Sequence, residues 1–389
     1  MSEIKKIKVL FVLPALHRAG AEMQLVSLVN GLDAERFEKH LVVFDEEMAL
    51  RSSLDPDAVV FHHFARSFKY DLSVARRIAR LIDVEGIQSV HCTMQIAFFM
   101  GWLGAKMSRS RPPVFVALHN ILSNSLHERV FNGLLYRHIF KQARRIVFVC
   151  SSQVDDWAAS MPFVRDFAQV IYNGVDSVHF DRTKFDMSRE EARKKFGIGD
   201  GDRVLCHVAR FFPEKGHGNL IAALPYVVER VPDVRLILAG DGPLRQIIEQ
   251  QVLQQGLGSH VRFAGRLEDV RPALMAADVS VLPSCSETFS MAMLESMAMS
   301  VPVVATDVGG AKEAVVAGRT GELVPPEDPV ELGNALIHVL SDQAWRKHAS
   351  EECRKIVLEK FSRESMLRDT QKMLEESVLV GSQLGRLGG

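Results

Sequence analysis

Short apolar runs alternate with longer amphipathic stretches along the whole chain, and this alternation predicts an α/β protein. The runs that predict strands in the first half are residues 8–13, 39–44, 58–62, 89–92, 114–118 and 145–150. Those of the second half are 203–209, 234–239, 261–264, 279–282, 302–306 and 321–324. Because parallel strands need a long connection, which a helix supplies, the pattern indicates two doubly wound parallel sheets of six strands each.

An irregular stretch, residues 178–201, separates the two predicted sheets and holds one charged helix between loops. We therefore place an N-terminal domain at residues 1–178 and a C-terminal domain at residues 179–361. Residues 362–389 are expected to form a final helix with a glycine-containing tail. The apolar face of that helix must be buried against another element.

Composition narrows the class of protein. The 389 residues are 47% hydrophobic, with 47 Lys and Arg against 48 Asp and Glu, which argues against a disordered, fibrous or nucleic-acid-binding chain. The five cysteines are far apart and form no Cys-x-x-Cys pair, so neither a zinc ribbon nor a disulfide-stapled domain is expected. Free cysteines fit a reducing cytoplasm, and we expect the protein there or at the inner face of the cell membrane.

Two segments imitate membrane signals. The N-terminus has lysines, an apolar run over residues 9–16 and small residues at 19–21, as a signal peptide would. The run is short, β-branched and interrupted by Pro14, and it fits a first strand better. The apolar stretch 96–105 has about half the length that spans a bilayer. We expect no membrane-spanning segment.

Two carboxylates stand on either side of a predicted helix start. Glu287 follows a buried strand, where open α/β sheets bind ligands, and Glu295 lies inside the helix that Ser290 would cap. Backbone amides at Phe289, Ser290 and Met291 would form an anion site suited to a diphosphate. Considered alone, such a pair is more often an ordinary loop carboxylate and an ordinary helix glutamate.

A second loop carries two cations. Arg210 and Lys215 follow the first strand of the second half and could converge on phosphate oxygens, although they could also be solvated loop residues. The pair Gly309 and Gly310 precedes a helix, where the backbone must approach either a ligand or a neighbouring strand.

The first half has its own candidates at strand ends. Gly20 opens the first helix, where a missing side chain lets the backbone approach a sugar or phosphate. His119 ends the strand 114–118. A lone histidine is more often structural, but this one stands where parallel sheets bind ligands.

Nine short motifs stand in a characteristic order. They are Gly20-Ala21-Glu22, His119, Asn173-Gly174-Val175-Asp176, Arg210 with Lys215-Gly216, Gly240-Asp241-Gly242-Pro243, Phe263-x-Gly265, Glu287-x7-Glu295, Pro302-Val303-Val304 and Gly309-Gly310-x-x-Glu313. In this set, from about residue 8 to residue 330, the chain resembles the retaining, nucleotide-sugar-dependent glycosyltransferases of family 4, also called group 1. The resemblance implies the GT-B fold, in which two Rossmann-like domains face each other across a cleft and the last helix crosses back to the N-terminal domain.

The resemblance also implies roles for the candidate residues. Arg210 and Lys215 would hold the donor diphosphate and neutralise the leaving group. Glu287 would bind sugar hydroxyls, and Glu295 the ribose hydroxyls. His119 would lie near the sugar on the acceptor side. The remaining donor contacts would come from backbone at Gly20, Phe289, Ser290, Met291, Arg266 and Leu267, the last two beside the base.

No metal or other cofactor is expected from this resemblance. Fixed cations and helix-start amides can stabilise the charge that develops on the departing diphosphate. The two Asp-x-Asp triplets, at residues 55–57 and 200–202, end no apolar strand and fit turns. In retaining members the leaving phosphate helps to deprotonate the acceptor, so no enzymic nucleophile is named.

Four positions depart from the family, which often has glycine there: Ala19, Thr288, Ser290 and Ser300. We expect Ala19 and Ser300 to stand at positions with positive φ, at about 1 kcal/mol each. Ser290 adds a hydroxyl at the diphosphate end of the site. These changes affect the identity of the donor more than the reaction class.

Residues 101–145 are the strongest indication of an acceptor. They contain eight basic residues and one acidic residue, and Ser125 and Glu128 form a capping box before an amphipathic helix. That helix either packs on the N-terminal sheet or forms a peripheral membrane surface that receives a lipid-linked acceptor.

The expected function is therefore transfer of a hexosyl group from a nucleotide diphosphate sugar to a glycan or lipid-linked acceptor, in the synthesis of cell-surface polysaccharide or glycolipid. A UDP sugar is favoured over a GDP sugar, and the protein is expected to be a monomer or weak dimer that binds no nucleic acid. The alternative is a non-catalytic protein of the same fold that binds sugar nucleotides. An NAD-dependent oxidoreductase is disfavoured because no Gly-x-Gly-x-x-Gly joins the first strand and helix.

Overall fold

The structure is a computed structural model that describes residues 6–120 and 136–386. Contacts divide the chain into two compact units. Unit 1 comprises Met1–Gly174 and Arg363–Gly389, and unit 2 comprises Val175–Ser362. The chain therefore passes between the units twice.

Strands and helices alternate through the first part of unit 1. The strands are β1 (Ile7–Leu13), β2 (Phe37–Val43), β3 (Val60–His63), β4 (Ser89–Thr93), β5 (Val114–Leu118), β6 (Arg145–Phe148) and β7 (Ala168–Val170). The helices are α1 (Gly20–Gly31), α2 (Leu72–Glu85), α3 (Gln95–Met107), α4 (Ser151–Ser160) and α5 (Val164–Phe167). Residues 136–140 are also helical.

Unit 2 repeats the alternation. Its strands are β8 (Arg203–Val208), β9 (Val234–Ala239), β10 (Val261–Gly265), β11 (Val279–Leu282), β12 (Val303–Thr306) and β13 (Gly321–Val324). Its helices are α6 (Arg189–Lys195), α7 (His217–Arg230), α8 (Arg245–Gln254), α9 (Arg271–Ala276), α10 (Met291–Ala298), α11 (Ala311–Ala314), α12 (Pro329–Ser341) and α13 (Gln343–Ile356). A π-helical turn, Val357–Phe361, follows.

Both sheets are parallel and doubly wound. Within the described residues the order is β3-β2-β1-β4-β5-β6-β7 in unit 1 and β10-β9-β8-β11-β12-β13 in unit 2. The order reverses between β1 and β4 in the first sheet and between β8 and β11 in the second. Open α/β sheets bind their ligands outside the carboxyl ends of the strands at such a switch point.

Both faces of each sheet are buried, which explains the nearly continuous apolar strands. Along β1, Leu10 and Val12 face the core that contains α2 and α3, whereas Val9, Phe11 and Leu13 face the core beside α1. Unit 2 likewise has a core on each side of its sheet.

The last helix, α14 (Arg363–Arg386), packs on unit 1. Met366, Met373 and Leu374 are buried in the core beside α1, and Arg36 forms an ion pair with Glu375. A Cβ added at Gly31 of α1 would lie 2.7 Å from Leu367 Cδ1, so the two helices are in close contact. The predicted apolar face of this helix is thus buried.

The predicted pair of doubly wound sheets is confirmed, but the prediction of six strands in the first sheet was wrong. Strand β7 joins its edge through Ala168, Gln169 and Val170, which pair with β6. Three half-buried residues are too few to produce an alternating or continuous apolar pattern.

The motif at residues 173–176 lies where the chain leaves unit 1. The Gln24 side chain forms two hydrogen bonds with the backbone of Gly174. Its Nε2 donates to the Gly174 carbonyl (3.1 Å), and its Oε1 accepts from the Gly174 amide (2.9 Å). Asp176 Oδ1 accepts from the amides of Val178 and His179, at 3.1 and 2.9 Å. This motif therefore shapes a turn at the boundary.

The two expected left-handed residues behave differently. Ser300 has φ +57° and follows the end of α10. At the equivalent positions after α2 and α8 the residues are Gly86 and Gly256, with φ +68° and +70°. Ala19 has φ −131°, because it enters α1 in extended conformation, so the expectation of positive φ there was wrong.

The basic segment 101–145 is described only in part, since residues 121–135, including the predicted capping box, lie outside the described residues. Beyond that gap Tyr136, Ile139 and Phe140 are buried in the core of unit 1, and Arg137 and Lys141 are exposed. This end of the segment packs on the sheet and directs its cations to solvent. No helix in the described part of the chain has the length and apolar character needed to cross a membrane.

Replacement of Ser300 by glycine should stabilise the protein. A non-glycine residue in the left-handed conformation is strained by about 1–2 kcal/mol, and glycine removes this strain. Glycine also loses more conformational entropy on folding, which costs about 0.5–1 kcal/mol. We therefore expect the free energy of unfolding to rise by about 0.5–1 kcal/mol. Urea denaturation measures the change. Gln255→Gly is the matched control because Gln255 also ends a helix but has φ −89°. The control should lose stability, and an equal change in both variants would refute strain at Ser300.

Candidate active site

The predicted cationic loop and the predicted carboxylate loop lie next to each other in unit 2. Arg210 and Lys215 follow β8, and Glu287 follows β11. The two strands pair in parallel, with Leu205 opposite Val279 and Cys206 opposite Ser280. Their carboxyl ends therefore meet at the switch point of the sheet.

Lys215 and Glu287 form an ion pair between these loops. Their side chains retain 20% and 22% of their accessible surface, so both side chains are partly accessible to solvent. Arg210 is exposed, and its guanidinium lies 4.8 Å from the centre of the Phe212 ring. The site thus presents one paired and one solvent-facing cation.

Gly216 lets the cationic loop approach β11. Its φ is +69°, and a Cβ there would lie 1.8 Å from the Pro283 carbonyl oxygen. Any side chain would push apart the two loops that carry Lys215 and Glu287.

The Gly309-Gly310 pair packs against the carboxylate loop at Glu287 and Thr288. A Cβ on Gly309, which has φ +54°, would lie 2.0 Å from the Glu287 carbonyl oxygen. The amide of Gly310 donates to the Thr288 carbonyl at 2.8 Å. From the sequence, the backbone at these glycines was expected to approach either a ligand or a neighbouring strand. In the structure it approaches the loop that carries Glu287.

The motif at residues 240–243 braces the cationic loop through backbone hydrogen bonds. The Phe211 amide donates to the Asp241 carbonyl at 3.0 Å, and the Leu244 amide donates to the Phe211 carbonyl at 3.1 Å. Gly216 and the motif at residues 240–243 therefore position the segment from Arg210 to Lys215.

The start of α10 lies directly after Glu287. Ser290 caps the helix, as predicted, by accepting a hydrogen bond from the Met293 amide at 3.4 Å. Phe289 is buried, with its ring 5.4 Å from that of Phe361. Met291 is the first helical residue.

Glu295 lies one turn further along α10. Burial raises the pKa of its carboxyl from the ordinary value of 4.5 to about 7. A partly protonated carboxyl at neutral pH can both donate and accept hydrogen bonds.

Two histidines that sequence reasoning missed lie beneath the cationic loop. His207 Nδ1 lies 2.7 Å from the Val281 carbonyl of β11, and the His217 ring is stacked on Phe211 at 4.1 Å. Burial, and secondarily Lys215, lowers the pKa of His217 to about 4, so the imidazole adds no charge at neutral pH. The one sequence signal for their position below the cationic loop is that His217 directly follows Gly216.

A shallow recess opens beside Glu287. It is lined by side chains from the ends of β11 and β12 and the starts of α10 and α11, among them Ser284, Ser290, Met293 and Thr306. The other lining residues are apolar, namely Leu282, Ala305, Val308 and Ala311, so the carboxylate borders a mixed surface of small hydroxyl groups and aliphatic side chains.

The remaining predicted residues are placed separately. Arg266 is exposed and Leu267 half-buried just after β10, two strands from β8. In unit 1, Gly20 is the exposed first residue of α1, and His119 follows β5. Burial lowers the pKa of His119 to about 4. Unit 2 therefore brings together Arg210, Lys215, Glu287 and the start of α10.

Family comparisons cover most of the chain. Residues 188–356 match the model described as Glycosyl transferases group 1, and residues 18–178 match Glycosyltransferase Family 4. A Bacillus anthracis relative named N-acetyl-alpha-D-glucosaminyl L-malate synthase is 27% identical over 77% of this chain and 77% of its own length. Phosphatidyl-myo-inositol mannosyltransferase of Mycolicibacterium smegmatis is 32% identical over 60% of this chain and 58% of its own length.

Solved structures share the fold. The crystal structure of Anabaena HepE in complex with UDP superposes with a TM-score of 0.85 at 22% identity, covering 95% of this chain and 100% of that chain. The same protein has been solved with UDP-glucose, and that structure superposes with a TM-score of 0.81 at 23% identity over 95% of this chain and 100% of that chain.

Replacement of Gly309 by alanine should lower the free energy of unfolding more than the same replacement at another glycine with positive φ. Gly309→Ala loses about 1–2 kcal/mol from the φ penalty and about 1–3 kcal/mol more from the collision with Glu287. Gly318→Ala is the control because Gly318 has φ +74° and no atom within 4 Å of an added Cβ. Urea denaturation should show the larger loss for Gly309→Ala, and equal losses would contradict the close approach.

Replacement of Glu295 by glutamine should change the pH dependence of stability. The folded protein keeps a proton on Glu295 up to a pKa of about 7, whereas the unfolded chain releases it near 4.5. Stability therefore falls as pH rises between these values. The free energy of unfolding of Glu295→Gln, minus that of the parent, should increase as pH rises from 4.5 to 7 and stay constant above pH 7. A difference that does not vary with pH, measured by urea denaturation, would contradict the raised pKa.

Proposed function

The chain belongs to the group 1 glycosyltransferases of family 4 and has the GT-B fold, and from this premise we propose that it transfers a hexosyl residue from a UDP sugar to a glycan or lipid-linked acceptor, with retention of anomeric configuration. The observation that carries the proposal is the meeting of Arg210, Lys215 and Glu287 at the switch point of unit 2.

Arg210 and Lys215 bind the donor diphosphate. Both follow β8, and both can be reached from solvent, as an incoming phosphate requires. Without ligand, Lys215 is paired with Glu287, so phosphate binding exchanges one anionic partner of Lys215 for another. Glu287 is then released to accept hydrogen bonds from sugar hydroxyls.

The same cations favour the chemical step. As the anomeric C–O bond breaks, negative charge grows on the departing diphosphate, and positive charge grows on the sugar. Cations already held in place stabilise that charge without reorganisation, and the start of α10 adds the positive end of a helix dipole. These groups supply the charge stabilisation that a divalent ion provides in other transferases, and we therefore expect activity without metal or other cofactor.

The nucleoside binds beside the diphosphate. Glu295, with its raised pKa, hydrogen-bonds the ribose hydroxyls, and backbone at Arg266 and Leu267 receives the base. The complexes of Anabaena HepE with UDP and with UDP-glucose support uridine as the base.

The acceptor belongs to unit 1. His119 follows β5, and its low pKa keeps the imidazole neutral and able to accept or donate a hydrogen bond. Exposed cations at residues 106, 109, 111, 137, 141, 144 and 145 can attract an anionic membrane surface, at about 1 kcal/mol each. This charge supports a lipid-linked acceptor and a peripheral membrane contact.

In a retaining reaction without an enzymic nucleophile, the leaving phosphate takes the acceptor proton on the same face of the sugar. The C–O bond to the diphosphate breaks, the bond from the acceptor oxygen forms, and the acceptor proton passes to the released UDP. The anomeric configuration of the product, read by proton NMR, tests this step separately from donor binding.

Thermal stabilisation by nucleotides tests the donor. In the presence of EDTA, UDP at about 100 times its dissociation constant adds about 2.7 kcal/mol and should raise the unfolding midpoint by several degrees. GDP, ADP, dTDP and NAD should stabilise less. Stabilisation by NAD alone, or binding that needs a divalent ion, would overturn the proposed site.

Substitution of the cations tests the residues. Lys215→Met removes a charge-assisted phosphate contact of about 1.5–3 kcal/mol, so the dissociation constant of UDP should rise about 10–100-fold. Lys347→Met, at an exposed position of α13, is the control for net charge and should bind like the parent. Glu287→Gln should retain UDP binding and lose transfer. Unchanged biological function in Glu287→Gln would favour the non-catalytic alternative.

A further inference from the structure

A cluster of histidine and glutamate side chains lies in unit 1 at the opposite end of its sheet from the ligand-binding edge. Glu38 and His40 are two residues apart on β2, His62 lies on the neighbouring β3, and Glu85 ends α2. Residues two apart on a strand face the same side, and this side of β2 is the one covered by α2. The cluster plays no part in the proposed transfer reaction.

The polar atoms of the cluster are close together. His40 Nε2 lies 3.1 Å from Glu38 Oε1, and His40 Nδ1 lies 3.2 Å from His62 Nε2. Ligand atoms from Glu38, His40 and Glu85 all lie within 4.8 Å of one another. His40 is buried, while Glu38, His62 and Glu85 are half-buried, so the cluster is accessible from one side.

We propose that Glu38, His40 and Glu85 bind a divalent transition-metal ion of the Zn²⁺ type, with His62 orienting His40. Zn²⁺ binds imidazole nitrogen and carboxylate oxygen at about 2.0–2.2 Å, which puts two neighbouring ligands of a tetrahedral site about 3.3 Å apart. The 3.1 Å between His40 Nε2 and Glu38 Oε1 matches that spacing. A mixed nitrogen and oxygen set selects Zn²⁺ over Ca²⁺ or Mg²⁺, which prefer oxygen alone.

The second histidine supplies the partner that a metal-bound imidazole needs. A ligating histidine donates its other ring N–H to an outer acceptor. With no metal, His40 donates from Nε2 to Glu38 and accepts from His62. With metal on Nε2, the His40 proton moves to Nδ1 and is donated to His62 Nε2, whose own proton moves to its Nδ1. No net proton is released by either imidazole.

Lys8 opposes metal binding. Its Nζ lies 2.7 Å from Glu38 Oε1, the oxygen that also contacts His40. A metal ion must displace this ammonium or take the other carboxylate oxygen. Removal of Lys8 should therefore tighten binding, an effect that a simple network of surface ion pairs would not produce.

Binding of Zn²⁺ to the tag-free protein tests the site. Calorimetry should find one Zn²⁺ site, and Zn²⁺ should raise the thermal midpoint of the parent protein because it joins β2 to α2. Glu85→Gln should weaken binding at least tenfold, and His62→Leu by about 10–100-fold, as expected for an outer partner. Lys8→Met should bind more tightly than the parent. His63→Gln, at the exposed next residue of β3, is the control and should bind like the parent.

Visible absorption of the Co²⁺-substituted protein gives a second measurement, since tetrahedral nitrogen and oxygen ligation has a strong d–d band that Glu85→Gln should reduce. Zn²⁺ binding that is equal in the parent, Glu85→Gln and His62→Leu, or no binding at all, would overturn the proposal. Binding that weakens in Lys8→Met would also do so. UDP should bind equally to all these variants. The proposed metal site and the proposed donor site are therefore tested independently of each other.

Discussion

The pairing of β8 with β11 at the reversal of strand order in unit 2 is the constraint on which the site depends. Loops from non-adjacent parts of the chain, 210–215 and 283–290, reach the same edge of the sheet only because these strands are neighbours. Close backbone packing then sets the distance between the loops. Gly216 approaches this loop at Pro283 and Gly309 approaches it at Glu287 and Thr288, and neither position has room for a Cβ.

Electrostatics and packing are coupled at this edge. Lys215 and Glu287 neutralise each other, so the site is held together without ligand, and an anionic ligand can replace the carboxylate as the partner of Lys215. The neutral imidazoles of His207 and His217 fill the space below the loop without adding charge. Glu295, in contrast, is half-buried, and the cost of desolvating its carboxylate is relieved by protonation or by a ligand that hydrogen-bonds it.

Much of this arrangement could be predicted from the sequence because both sheets are buried on both faces. Strands such as β9 and β11 are apolar except for Arg235 and Ser280 and lie between polar loops, and their bounds agree with the prediction. The cap at Ser290 was also predictable, since it depends on residues three apart. Short β7 was missed because three half-buried residues have no periodicity.

Features that depend on tertiary contact could not be predicted. The sequence does not distinguish Ala19 from Ser300, since the φ of each depends on how the chain enters or leaves a helix. It also does not reveal what the Gly309-Gly310 pair approaches. The cluster of Glu38, His40, His62 and Glu85 joins three elements, and only the register of β2 and β3 and the position of α2 bring its members together.

The most direct measurement is a crystal structure of the protein with UDP. We expect the phosphates to contact Arg210 and Lys215 at the carboxyl ends of β8 and β11, Lys215 to have left Glu287, and the ribose to lie at Glu295. Phosphates bound elsewhere, with the Lys215–Glu287 pair intact, would contradict this expectation.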